Sequence, residues 1–263
     1  MTHIQEIIAY LETKFPKDLA YAWDNVGLQI GDVNKEVKRI MVALDATTAV
    51  IDEAVQNKID FMITHHPFFF SGIKIIDFSN PQGRNIQQLI KHDIGIYSMH
   101  TNYDVANGGM NDLLANKLKL QQIEKFAMVD EVHGLGRIGQ LTHEMDLADF
   151  VTCIKNQWLV EEKPSLKIVN AHQENNLKKV AIVAGNGTKY IREAKNAGAD
   201  IFVTGDVDYH TAVDAIDMGL SIVDIGHYSE IIMEKHVTKL LEEQFKALQI
   251  IRPSSAKNPI LNV

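Results

Sequence analysis

A chain of 263 residues, 46% hydrophobic and 23% charged, can bury a large core as one big domain or two modest ones. Its net charge of −8 and pI near 5.7 disfavour nonspecific attraction to nucleic acid or anionic lipid. Cys153 is the only cysteine, which excludes an intrachain disulfide and a cysteine zinc cluster, fits a reducing cytosol, and leaves histidine and carboxylate to hold any metal.

The first residues, Met1 to Ile8, carry helical periodicity and an acid rather than a basic segment leading into a long apolar one, and no run of membrane-spanning length occurs. A cytoplasmic protein is expected. Short runs rich in Ile, Val and Phe then alternate with amphipathic stretches. Ile40 to Leu44 reads as a strand, residues 48–57 as a helix, Asp60 to Thr64 as a strand, 83–92 as a helix, and Gly95 to Met99 as a strand. A helix over 109–118 follows. Leu135 to Leu141 opens the second half as a strand, before a helix at 146–157 and a strand from Leu166 to Asn170. Such alternation predicts an α/β fold with mainly parallel sheets flanked by helices.

Ile51-Asp52-Glu53-Ala54 and Asp60-Phe61-Met62-Ile63-Thr64-His65-His66 return, shifted by 140 positions, as Ile191-Arg192-Glu193-Ala194 and Asp200-Ile201-Phe202-Val203-Thr204-Gly205-Asp206. A looser echo joins His92-Asp93-Ile94-Gly95-Ile96 to Ile216-Asp217-Met218-Gly219-Leu220, and Asp104 matches Glu230 at a shift of 126. Helix and strand periods alone make α/β units look alike, but the shared Asp-x-x-x-Thr spacing favours duplication of one βαβ unit. The expected division is a first α/β subdomain over 1–125 carrying His65, His66 and Asp104, a second over 126–225, and a segment over 226–263 whose helix packs back on the first subdomain. Paired halves can present their strand ends to one crevice, the usual binding position in open α/β sheets.

The polar clusters at those strand ends carry the chemistry. Phe61 to Thr64 runs into His65-His66-Pro67, where Pro67 stops the strand and the imidazoles become neutral nitrogen donors at a sheet edge. The doublet alone is equally compatible with capping, core or solvent roles. His100-Thr101-Asn102-Tyr103-Asp104 follows the next strand, and Gly226-His227-Tyr228-Ser229-Glu230 follows a strand from Ser221 to Ile225. His227 and Glu230, three apart, would share one face of the first turn of the last long helix. Together His65, His66, Asp104, His227 and Glu230 suit two divalent cations, with one carboxylate bridging and positions kept open for water. Taken singly, Asp104 reads as a helix cap, Glu230 as a complement to a helix dipole, and His227 as a surface residue. His100 reads as an outer partner that orients a ligand, a proton relay, or a plain strand-end histidine.

Trp23-Asp24-Asn25-Val26-Gly27-Leu28-Gln29-Ile30-Gly31, Thr64-His65-His66-Pro67, His100 to Asp104 and Gly226 to Glu230 stand in the order seen in the Nif-three-like family, and the chain resembles that family over nearly its whole length. Its members are often labelled GTP cyclohydrolase I type 2 homologs or dinuclear metal centre hexameric proteins. The resemblance implies two related α/β subdomains, a dinuclear metal site between them, and a toroidal homohexamer whose sites face an internal cavity. It also implies that His65, His66, Asp104, His227 and Glu230 are the ligands, with Glu230 bridging. Some members space the last histidine and glutamate by four rather than three, which implies a different local turn here. Others carry an inserted domain; the short interval between the helices at 109–118 and 146–157 resembles the form without it.

Metal-assisted hydrolysis is the expected chemistry, using two divalent ions, with zinc favoured and iron or manganese as alternatives. Glu230 and His100 are the candidate catalytic residues. The resemblance points to a small-molecule substrate, a nucleotide such as GTP whose purine ring would be opened, although the same ions would serve a phosphoesterase. A non-catalytic metal-binding interaction or metal-handling protein is the alternative, because ligands that hold an ion and ligands that activate water are the same residues. No membrane partner is expected, and the acidic balance disfavours nucleic acid. Asn107-Gly108-Gly109-Met110-Asn111-Asp112 could offer backbone amides to a phosphate, though it lacks the Lys-Ser or Lys-Thr of a P-loop. Asp206 and His210 stand where the repeat places the first-half histidines, with helix capping the first reading for Asp206. Trp23 could stack on a base; a packing role, with a turn at Gly27, is the first reading.

Overall fold

The computed structural model describes residues 1–158, 166–171 and 176–260. The chain divides into two compact units, Met1–Tyr103 with Ile231–Pro259, and Asp104–Glu230 with Ile260. Asp104 thus opens the second unit, whereas the sequence reading carried the first as far as residue 125. The reason is packing: the helix Met110–Lys117 lies on the strands Gly134–Met145 and Leu177–Asn186 of the second unit.

In the first unit five strands are ordered Gln249–Ile251, Arg39–Ala43, Phe61–Thr64, Gly95–Ser98, Gly27–Ile30. All neighbours are parallel except the last pair, which is antiparallel. Ile40, Met41, Val42, Phe61, Met62 and Ile63 are fully buried, the continuous apolar run expected of strands covered on both faces. The register sets Ala43 beside Thr64 and Thr64 beside Ser98, so these strands end level with one another and their following residues emerge at one edge. Thr47 caps the helix Thr48–Gln56 by accepting from the Val50 amide. Asn80 caps Pro81–Lys91, and its Asn-Pro start moves that helix two residues ahead of the expected one. The helix Ile232–Gln244 and the strand Gln249–Ile251 also belong to this unit.

The second unit holds six strands in the order Gln121–Met128, Gly134–Met145, Leu177–Asn186, Ile201–Gly205, Ser221–Asp224, Lys167–Val169. Its three middle pairings include two parallel ones, and the outer strands run antiparallel, so this sheet is mixed.

The duplication has a physical counterpart. Asp60 Oδ2 accepts from the Lys38 and Arg39 amides at 2.8 and 2.9 Å, and Asp200 Oδ2 accepts from the Lys178 and Lys179 amides at 2.9 and 2.7 Å. One aspartate per half thereby ties the start of its own strand to the neighbouring strand, at the offset seen in the sequence. Gly95 pairs with Phe61 and Ser221 with Ile201, so the next strand follows the shift that relates Asp104 to Glu230, and the looser echo at Gly219 is out of register. Among the described residues no helix is long and apolar enough to cross a membrane.

Candidate metal centre

Each unit carries its own group of donors. In the first, His65 follows the strand Phe61–Thr64, is fully buried, and donates Nδ1–H to the Met99 carbonyl at 2.8 Å. His66 donates Nδ1–H to Asp45 Oδ1 at 2.7 Å, and His100 donates Nδ1–H to Asp24 Oδ1 at 2.9 Å. Carbonyl and carboxylate oxygens only accept, so in every case the proton lies on Nδ1 and the coordinating lone pair on Nε2. Ring nitrogens of His65, His66 and His100 gather within 4.8 Å of one another, a group that could hold a metal ion.

Asp24 also accepts from the Thr101 amide at 3.0 Å and the Thr101 hydroxyl at 2.5 Å. Burial alone would raise its pKa, but the bonds from His100 and Thr101 prevail and hold it at about 2. Asp24 is therefore a fixed anion behind His100. Nothing in the sequence beyond its place in the Trp23 to Gly31 run marks Asp24, and nothing marks Asp45. No spacing rule links either aspartate to its histidine, since the pairs are brought together by separate strands.

In the second unit, His227 donates Nδ1–H to Asp206 Oδ2 at 2.7 Å and brings Nε2 to 3.2 Å from Glu230 Oε2. The sequence reading placed His227 and Glu230 on the first turn of the long α-helix. They lie instead in a separate 3-10 turn, His227–Ile231, ahead of Ile232–Gln244. Residues three apart eclipse in a 3-10 turn, which suits the spacing of three in this chain. With its proton on Nδ1, the ring turns a lone pair toward an anionic oxygen, and that approach is favourable only around a cation, either a second proton or a metal ion.

Asp104 and Glu230 bring carboxylate oxygens within 4.8 Å, at 8% and 3% exposure, a pairing that either a shared proton or a bound cation relieves. Asp104 lies inside the helix Thr101–Val105, and the N-cap position of the following helix, Met110–Lys117, is Gly109 rather than Asp104. Gly185 makes room for Glu230: its φ is +56° and a Cβ there would sit 2.6 Å from Oε1.

Three subsidiary readings change. Asp208, not Asp206, caps Tyr209–Asp217, accepting from the His210 and Thr211 amides; Asp206, at φ +57°, is the partner of His227. His210 is exposed on that helix's first turn and joins no donor group among the described residues. The glycine turn before Met110–Lys117 is already satisfied by the chain's own anion, since Gly108 donates its amide to Asp112 Oδ2 at 2.6 Å and Arg137 pairs with the same carboxylate. That carboxylate takes the place a phosphate would need.

Imidazole nitrogens and carboxylate oxygens without thiolate are donors to divalent cations, and these groups could hold a metal ion. The model of the family described as Duf34/NIF3 (NGG1p interacting factor 3) matches residues 2–259. The chain belongs to the Duf34/NIF3 family. It is 37% identical to a Clostridium perfringens protein named GTP cyclohydrolase 1 type 2 homolog, over 97% of this chain and 98% of that one. A Bacillus subtilis protein of the same name is 32% identical over 344 aligned residues, covering 90% of this chain and 91% of its own. That alignment is longer than the chain, so the B. subtilis relative carries an insertion that this one lacks. Among Duf34/NIF3-like solved structures, a Bacillus cereus protein related to NIF3 matches with TM-score 0.90 and 30% identity, over 100% of this chain and 99% of that one. Reduced HcgD from Methanocaldococcus jannaschii matches with TM-score 0.84 and 31% identity, over 96% and 98%.

Proposed function

We propose that this Duf34/NIF3 chain is a dinuclear-metal-dependent hydrolase whose candidate activity is hydrolytic opening of a purine nucleotide ring. The supporting observation is the common orientation of four imidazoles: His65, His66, His100 and His227 each commit Nδ1–H to an oxygen and turn Nε2 out as the donor. His65, His66, Asp104, His227 and Glu230 would hold two divalent ions, zinc first and iron or manganese as alternatives, with Glu230 bridging. Such ions, when bound, polarise the scissile group and lower the pKa of water toward neutrality.

The chain's own groups supply the rest. Asp24 stays ionised beside His100 and would stabilise an imidazolium there, so His100 can take a proton at Nε2 and return it. Asp45 and Asp206 keep His66 and His227 in the donor tautomer. The family resemblance extends the proposal to a toroidal homohexamer acting on a small nucleotide.

The test begins with metal-free protein loaded separately with zinc, manganese and iron. Bound metal is counted per chain, oligomer mass is read by light scattering, and GTP and a panel of phosphoesters are offered. Two ions per chain and turnover that disappears in Glu230→Gln, with the oligomer intact, support the hydrolase. Two ions held tightly with no turnover under any metal would replace it with the metal-handling role.

A further inference from the structure

Beside His100 the first unit exposes an aromatic shelf. Trp23 and Phe70 are 54% and 62% exposed, with ring centroids 5.9 Å apart and planes tilted by 42°. Tyr21 backs Trp23 in a stack at 5.9 Å and 12°. The His100 ring stands edge-on to both, 6.0 Å from Trp23 and 6.2 Å from Phe70. Trp23 thus packs against Tyr21 and still leaves 54% of its surface facing solvent.

The shelf is fixed by polar bonds rather than by a core. Asn25 donates from Nδ2 to the Phe69 carbonyl at 2.6 Å and to Gln29 Oε1 at 3.1 Å, while Gln29 Oε1 accepts from the Phe69 amide at 3.3 Å. Asp24, next to Trp23, holds His100. Three side chains of the Trp23 to Gly31 run thus pin the shelf's two edges to the donor histidines. Ordered aromatic faces left in water are stacking surfaces, and a flat ring laid on them exchanges two hydrated faces for contact. A single six-membered ring stacked on one of these residues leaves the other in water, whereas a longer bicyclic heteroaromatic stacked on Trp23 extends toward Phe70, 5.9 Å away and tilted by 42°.

We propose that Trp23 and Phe70 form a ring-binding subsite for a bicyclic heteroaromatic ligand of the purine class, which they hold with its edge toward His100. This rests on the hydrolase reading for what the bound ring undergoes, but not for the binding itself. The chain has two tryptophans, so Trp158→Phe leaves Trp23 as the sole indole reporter. Metal-free protein with that substitution is titrated with GMP and with ribose 5-phosphate, which lacks the base. Saturable quenching by GMP alone is expected. By calorimetry, Trp23→Ala should weaken GMP binding about tenfold, with Trp23→Phe recovering most of it.

Equal quenching by ribose 5-phosphate, absence of saturation, or unchanged GMP affinity in Trp23→Ala would overturn the subsite. So would loss of oligomer mass in Trp23→Ala with GMP affinity intact, which would make the shelf a contact between copies. Base-dependent binding without turnover under any metal would sustain the subsite while removing the hydrolase.

Discussion

Glu234 lies in the first turn of the Ile232–Gln244 helix at 4% exposure, and its Oε1 accepts from the Leu44 amide at 2.9 Å. Burial pushes its carboxyl up from 4.5 to about 7; the Leu44 bond and Arg252 pull against this, and Asp45 and Glu53 add to it. A folded-state pKa above the unfolded one means the folded chain keeps a proton that the unfolded chain has released. The contribution to stability is whole below about pH 4.5 and is lost as pH rises through about 7. At about 1.4 kcal/mol per pH unit, that interval corresponds to about 3 kcal/mol. Glu234→Gln keeps an oxygen for the Leu44 amide and cannot ionise. The variant should match the parent near pH 4.5 and exceed it by about 3 kcal/mol at pH 8. Urea unfolding of metal-free protein at several pH values between these limits, compared at constant slope, reads the gap directly. A gap that does not widen with pH, or a variant less stable than the parent at pH 8, would show that the ionised carboxylate is favoured in the fold and refute the reasoning.

Asp24→Asn offers His100 an amide in place of an anion and should lower metal-dependent turnover about 10- to 100-fold, with the metal counted per chain unchanged. Because the Asp24 pKa falls on folding, from 3.8 to about 2, its contribution is present above pH 3.8 and is lost as pH drops through about 2, so the variant should show a flatter acid limb in the same denaturation assay. Gly185→Ala places a Cβ against Glu230 Oε1 at a positive φ; metal content should fall, with a stability loss of about 1 to 3 kcal/mol. Arg137, 1% exposed, donates to the Gly134, Val105 and Ala106 carbonyls and pairs with Asp112. Arg137→Met strands that half-buried carboxylate and should lower the urea midpoint by an amount equivalent to about 3 to 5 kcal/mol.

The donor histidines were legible because they interrupt apolar runs. Phe61 to Thr64 and Ser221 to Asp224 could only be buried strands, so the polar residues after them had to emerge at strand ends. The repeat was legible for a similar reason: Asp60 and Asp200 each satisfy two amides at a strand start, a local task that demands the same residue at the same offset. The 3-10 turn at His227 was not, because a spacing of three places two side chains on one face of an α-helical turn as well as of a 3-10 turn. The mixed character of the second sheet also escaped, since strands such as Lys167–Val169 are half-polar edges that take their direction from a neighbour.

The sequence by itself determined the alternation of strands and helices, the duplication, and the kinds of atoms available as donors, because periodicity and side-chain chemistry are local properties. Only the tertiary structure decided which nitrogen of each imidazole faces outward. That depends on Met99, Asp24, Asp45 and Asp206, acceptors delivered by other segments of the chain. A hydrogen bond fixes a tautomer only when its acceptor arrives within about 3 Å, and such proximity between distant residues exists only once the sheets have formed.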